Sequence, residues 1–88
     1  MANDTIFDKI LRGEIPSEKV YEDESVYAFR DIEPQAPVHV LVIPKKKLES
    51  FADLPDADPG DVAALMQGVA KTARELGLEE NGYRVVFN

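Results

Sequence analysis

The sequence predicts an α+β domain in which a short N-terminal helix and one longer helix pack on an antiparallel sheet. Apolar residues recur with helical spacing in two places, near the N-terminus and between residues 62 and 76. Between these places lie short apolar or alternating stretches joined by turn-forming links, which is typical of hairpins. The 88 residues suffice for one domain, which we place over residues 1–88.

The first half of the chain is predicted to contain a helix followed by a hairpin. Asn3 or Asp4 can cap the helix, and Gly13 is placed to end it. Its apolar residues have the spacing of a helix that lies on a core: Ile6, Phe7, Ile10 and Leu11. Residues 19–22 and 26–32 are the next two predicted strands, and the acidic link 23–25 between them indicates a hairpin.

Residues 38–43 form the most strongly predicted strand. Its odd positions place His39, Leu41 and Ile43 on one face, and its even positions place three valines on the other. Because both faces are apolar, we expect both to be covered, and we expect Pro44 to end the strand. Irregular turn and loop structure is then predicted up to Gly60.

The second helix and a last strand complete the predicted elements. Asp58 can cap the helix with Pro59 at its first position, and Gly77 is placed to end it. An Asn-Gly turn then leads to a strand over residues 83–87. Because this strand lies at the end of the sequence, we expect its next neighbour in the sheet, a C-terminal segment of the domain, to be missing.

Composition excludes several classes of function. The net charge of −7 argues against a nucleic-acid polymer as partner, since such a partner requires a basic face. The absence of cysteine excludes disulfides and thiolate metal sites. The acidic stretch 53–61 lacks the ligand spacing of a calcium loop, so we expect no metal. No signal peptide and no apolar run of membrane-spanning length occurs, which predicts a cytoplasmic protein without a membrane partner.

Two residues are candidates for chemistry, and each has a structural alternative. His39, the only histidine, is either a hydrogen-bonded core residue or an imidazole directed into a pocket beside Leu41. Asp31, at the end of a strand, is either a turn residue or an acceptor for the hydroxyls of a sugar. The lysine run 45–47 is more simply a solvated strand end than a phosphate site.

Five segments, in order along nearly the whole chain, resemble the histidine-triad (HIT) superfamily and, within it, the Hint branch of purine nucleoside phosphoramidases. They are DTIFDKI (4–10), GEIP (13–16), AFRDI (28–32), PQAPVHVLVIPK (34–45) and GYRVVFN (82–88). The resemblance implies an antiparallel sheet with two helices, a homodimer, and a site for a purine nucleotide or nucleoside phosphoramidate that needs no cofactor.

The resemblance also implies roles for individual residues. Asp31 would bind the ribose hydroxyls, Asn88 would lie near sugar and phosphate, and His39 would support the nucleophile without being it. The residues expected around the base are Phe7, Ile10, Phe29, Arg30, Ile32 and Leu41. The family reaction is a hydrolysis through a covalent nucleotidyl-histidine, formed by a histidine of a His-x-His-x-His segment.

This sequence contains no His-x-His-x-His segment and no glycine-rich stretch after Asn88. We therefore expect a protein that hydrolyses nucleotidyl bonds in its complete form, whereas these 88 residues are inactive alone. The alternative is a non-catalytic dimeric protein that binds nucleotides or acts as a scaffold. An unrelated acidic interaction domain would leave the five matching segments unexplained.

Overall fold

The computed structural model of the chain describes residues 6–31, 36–46 and 51–87, and for Ile6, Phe7 and Phe51 it describes the backbone only. The elements are α1 (Ile6–Leu11), β1 (Lys19–Glu22), β2 (Val26–Arg30), β3 (Val40–Pro44), a 3-10 helix (Phe51–Asp56) and α2 (Pro59–Glu75). The strands form one antiparallel sheet in the order β1-β2-β3. The predicted α+β architecture is therefore confirmed.

The acidic link between β1 and β2 forms a hairpin turn organised by Asp23. Its carboxylate accepts hydrogen bonds from the backbone N–H groups of Ser25 and Val26, at 2.7 and 2.9 Å. An aspartate is favoured at such a position because its short side chain can bond to backbone groups two or three residues ahead. The hydroxyl of Tyr21 donates a further hydrogen bond to the same carboxylate, at 2.9 Å.

The two helices lie on opposite faces of the sheet. Ile10 of α1 packs with Phe29 and Ile43, and this cluster is the core on one face. On the other face, Gly68 of α2 lies directly against the fully buried side chain of Val26. Since Val26 and Phe29 are three positions apart on one strand, their side chains point to opposite faces.

Both predicted ends of the second helix are confirmed. The Asp58 carboxylate accepts a hydrogen bond from the N–H of Asp61 at 3.2 Å, and Pro59 occupies the first turn. At the other end Gly77 adopts a left-handed φ of 72°, and the N–H groups of Gly77 and Leu78 bond back to carbonyls of the last turn. Glycine suits this position because a side chain would make the left-handed conformation costly.

The strand predicted over residues 83–87 is wrong. This stretch forms neither helix nor strand, and within the described ranges no strand pairs with it. Its apolar side chains are between 42% and 69% exposed: Tyr83, Val85, Val86 and Phe87. A strand requires a paired neighbouring strand as well as a suitable composition, and within the described ranges this stretch has no such strand.

Two smaller expectations also need correction, and the expected end of β3 is confirmed. β3 begins at Val40 and not at Val38 as predicted. Because Val38 is 45% exposed, the predicted strand 38–43 is not covered on both faces along its whole length. Pro44 is the last residue of β3 and stands opposite Val26. Proline has no N–H to donate, and an outer strand tolerates it where the backbone nitrogen points away from the sheet. Residues 51–56 form a 3-10 helix instead of an irregular turn and loop. The predicted cap at Asn3 or Asp4 lies outside the described residues.

Candidate functional site

The register of β2 against β3 brings Asp31 and His39 together. Phe29 stands opposite Leu41 and Arg30 opposite Val40, so Asp31 and His39 are the next pair along the ladder. The N–H of Asp31 donates a hydrogen bond to the carbonyl of His39 at 3.0 Å. Because directly opposed residues point to the same face of a sheet, the two side chains meet, with Nδ1 of His39 3.4 Å from Oδ2 of Asp31.

This pair is partly open to solvent. The side chain of His39 is 32% exposed and that of Asp31 is 20% exposed. His39 is thus not a sealed core histidine, and Asp31 does not turn away from it. A carboxylate and an imidazole in this setting can both form hydrogen bonds with a ligand, because an ionised carboxylate accepts and an imidazole can donate or accept.

An apolar surface lies beside the pair on the same face. Phe29 and Leu41 are two residues before Asp31 and two residues after His39, so strand alternation places all four side chains on one side. Ile10 of α1 packs against Phe29, and both are nearly buried, whereas Leu41 is half-buried. The structure therefore unites five of the predicted site residues on the α1 face of the sheet.

Of the remaining predicted residues, the structure describes the side chain of Arg30 alone. Arg30 points to the opposite face, where its guanidinium lies 3.0 Å from the carboxylate of Glu18. Phe7 belongs to α1, but its side chain lies outside the description. Ile32 and Asn88 are likewise outside the described residues.

Two lysines after β3, Lys45 and Lys46, are engaged in ion pairs, and Lys47 lies outside the described residues. Nζ of Lys45 lies 2.7 Å from Glu22, and Nζ of Lys46 lies 3.3 Å from Asp61. The hydrogen bond from Lys45 is the main reason why the pKa of Glu22 is below its ordinary value. These contacts fit the prediction of a solvated strand end, and they lie at the end of β3 opposite to His39.

A polar contact at the far edge of the apolar surface escaped sequence analysis. The hydroxyls of Ser17 and Tyr27 are 2.6 Å apart, and the Tyr27 ring lies 5.7 Å from that of Phe29. Strand alternation alone places Tyr27 on the face of Phe29, and this signal could have identified it.

The described residues contain neither a membrane-spanning helix nor a metal-binding cluster. Across residues 6–31, 36–46 and 51–87, no helix is long and apolar enough to cross a bilayer. In these same ranges no three histidine, aspartate or glutamate side chains are grouped as a metal ion requires.

The arrangement can be compared with known proteins. The family model described as "HIT domain" matches residues 12–88. The chain belongs to the HIT family. It is 44% identical to the purine nucleoside phosphoramidase of Escherichia coli (strain K12) over 88 residues, which cover all of this chain and 74% of that protein.

Solved structures of HIT proteins share the fold. A histidine triad protein from Clostridium difficile superposes with a TM-score of 0.85 at 48% identity, covering 98% of this chain and 75% of the other. A histidine triad nucleotide-binding protein from Candida albicans gives a TM-score of 0.74 at 38% identity, covering 93% of this chain and 55% of the other. The family predicted from the five sequence segments is thereby confirmed.

Proposed function

We propose that this chain supplies the nucleotide-binding face of a HIT-type hydrolase that acts on purine nucleoside phosphoramidates or related nucleotidyl bonds. The observation that carries the proposal is the Asp31–His39 pair, 3.4 Å apart and partly exposed, at the edge of an apolar surface. The names of the Escherichia coli and Candida albicans relatives, a purine nucleoside phosphoramidase and a nucleotide-binding protein, support the same ligand class.

The two parts of the site match the two parts of a nucleoside. A carboxylate has two acceptor oxygens, which suits the neighbouring 2′ and 3′ hydroxyls of ribose, and we assign this contact to Asp31. A planar base requires an apolar surface of its own size. Leu41 is the accessible part of that surface, and Ile10 and Phe29 support it from beneath.

For the reaction, we propose the covalent route of the family. A histidine nitrogen attacks phosphorus, the P–N bond breaks, and the amine leaves with a proton. Water then hydrolyses the nucleotidyl-histidine. We assign His39 a supporting role beside the nucleophile. Since His39 is the only imidazole among these 88 residues, we expect them to bind a nucleotide without hydrolysing a phosphoramidate.

Isothermal titration calorimetry with a purine nucleoside 5′-monophosphate tests the site. Hydrogen bonds to a charged group contribute about 1.5–3 kcal/mol, so Asp31→Ala should weaken binding roughly ten- to hundredfold. Asp56→Ala, which removes an exposed carboxylate from the 3-10 helix, is the matched control and should leave affinity unchanged. Absence of binding by the wild-type chain, or equal affinity of the Asp31→Ala variant, would contradict the assignment.

We also propose that the chain forms a homodimer. The apolar side chains of residues 83–87 are exposed in the single chain, and a second copy would remove part of this surface from water. Analytical ultracentrifugation at micromolar concentration should show a dimer, and a monomer at this concentration would argue against the proposal.

A further inference from the structure

We propose that Asp31 is a positioning residue for His39, in that its carboxylate accepts a hydrogen bond from Nδ1 and so fixes the tautomer and orientation of the ring. The Nε2 atom, on the other side of the ring, is then left without a proton and faces away from Asp31. That Nε2 faces a nucleotide rests on the function proposed above, whereas the pairing of the two side chains rests on the fold alone.

The backbone holds Asp31 firmly enough to serve as a reference point. The N–H of Arg30 donates to the carbonyl of Glu18 at 3.0 Å, and the N–H of Asp31 donates to the carbonyl of His39 at 3.0 Å. Arg30 is thus bonded to the segment before β1, and Asp31 is bonded to the segment before β3. The positions from which the Asp31 and His39 side chains leave the backbone are therefore fixed relative to each other.

The chemistry of the two groups decides which atom carries the proton. An ionised carboxylate can only accept a hydrogen bond, so the imidazole nitrogen that faces it must be the donor. A neutral imidazole has one N–H, and a proton on Nδ1 leaves a lone pair on Nε2. A carboxylate that holds one ring nitrogen in this way sets the tautomer and the direction of the ring, as it does for histidines that bind metals.

The same carboxylate is the one assigned to the ribose hydroxyls. If a diol bonds to Asp31, the charge and geometry at Nδ1 of His39 change with it, because the two groups are 3.4 Å apart. A nucleotide that has a ribose should therefore alter the imidazole through Asp31, whereas one that lacks both hydroxyls can act on the ring only from the Nε2 side. Sugar recognition and the state of the histidine are linked through one side chain.

Nitrogen-15 NMR of the imidazole tests the pairing directly. The sequence has one histidine, so every imidazole signal belongs to His39. At about pH 8, where an ordinary imidazole is neutral, the wild-type chain should show the Nδ1–H tautomer. Asp31→Ala should move the population towards the Nε2–H form that free histidine prefers, and the control Asp56→Asn should leave the spectrum unchanged. A wild-type spectrum dominated by Nε2–H would overturn the proposal, even if the Asp31 variant failed to fold.

Titration of the same sample separates this inference from the proposed function. A purine ribonucleoside 5′-monophosphate should shift the Nδ1 signal of His39 more than its 2′,3′-dideoxy analogue does, because only the former can bond to the Asp31 carboxylate through its hydroxyls. An Nδ1–H tautomer without any nucleotide binding would overturn the nucleotide site and support the pairing. Ribonucleotide binding that leaves the imidazole signals unchanged would overturn the shared role of the Asp31 carboxylate.

Discussion

Substitution of Gly68 by alanine tests how closely α2 approaches the sheet. A Cβ atom added at Gly68 would lie 2.6 and 2.7 Å from the two methyl groups of Val26, whereas ordinary contacts are 3.4–4 Å. Val26 is fully buried in the central strand, and its branched side chain has little freedom to rotate away. The added methyl group must therefore displace the helix from the strand.

Two opposing effects determine how much the Gly68→Ala substitution changes the free energy of unfolding. Alanine is favoured over glycine inside a helix by about 1 kcal/mol. Overpacking of a core usually costs about 1–3 kcal/mol, and the rigid contact with Val26 places Gly68 near the upper limit. We expect a net loss of about 2 kcal/mol, which corresponds to a decrease in Tm of roughly 8–16 °C for a domain of this size.

Urea denaturation followed by circular dichroism measures this loss. Ala70→Gly, the reverse exchange on the exposed side of the same helix, is the matched control and should cost about 1 kcal/mol. Val26→Ala alone should cost roughly 2 kcal/mol through lost burial and a cavity. In the double variant the two methyl contacts disappear and only the 3.2 Å approach to Cβ of residue 26 remains, so its loss should be clearly smaller than the sum of the two single losses.

The outcome that would refute this reasoning is a Gly68→Ala variant as stable as the wild type, or more stable. Helix propensity would then outweigh the contact, and α2 would have room to move away from Val26. Strictly additive losses in the double variant would lead to the same conclusion, because independent sites show no coupling.

Two further predictions concern hydrogen bonds of the sheet. Partial burial acts to raise the pKa of Asp23, but hydrogen bonds from the N–H groups of Ser25 and Val26 outweigh it, and the pKa is lowered. The resulting stabilisation is present above the unfolded pKa and is lost as pH falls through the folded one. Asp23→Asn should therefore cost about 1–2 kcal/mol in urea unfolding at pH 7, and the difference should shrink below about pH 4. Tyr27→Phe removes the 2.6 Å contact with Ser17 and should cost about 1 kcal/mol with unchanged nucleotide affinity; a loss of affinity would place Tyr27 in the binding site.

Sequence alternation predicts which residues of one strand share a face of the sheet. It does not predict which residues of two neighbouring strands lie opposite each other. Alternation in the strongest strand places His39 with Leu41 and Ile43, and the structure has all three on the α1 face. That Asp31 stands opposite His39 follows from the register between β2 and β3. Register depends on the path of the intervening link as well as on residue type, so composition does not determine it.

The position of Arg30 differs from the one that the family resemblance implies, because the resemblance does not take strand alternation into account. The family pattern groups it with the residues around the base, yet it stands between Phe29 and Asp31 in an extended strand. Neighbours in a strand point to opposite faces, so Arg30 cannot share a surface with both. Its ion pair with Glu18 on the other side of the sheet agrees with the strand period.

The stretch 83–87 and β3 are both rich in valine, but only β3 is a strand. β3 is paired with β2 at five register positions. The stretch 83–87 follows α2, and within the described part of the chain no strand pairs with it in a sheet. Strand propensity expresses how well side chains fit a pleated, half-buried surface. A sequence can therefore show that a segment is suited to a sheet, whereas the presence of a neighbouring strand decides whether it joins one.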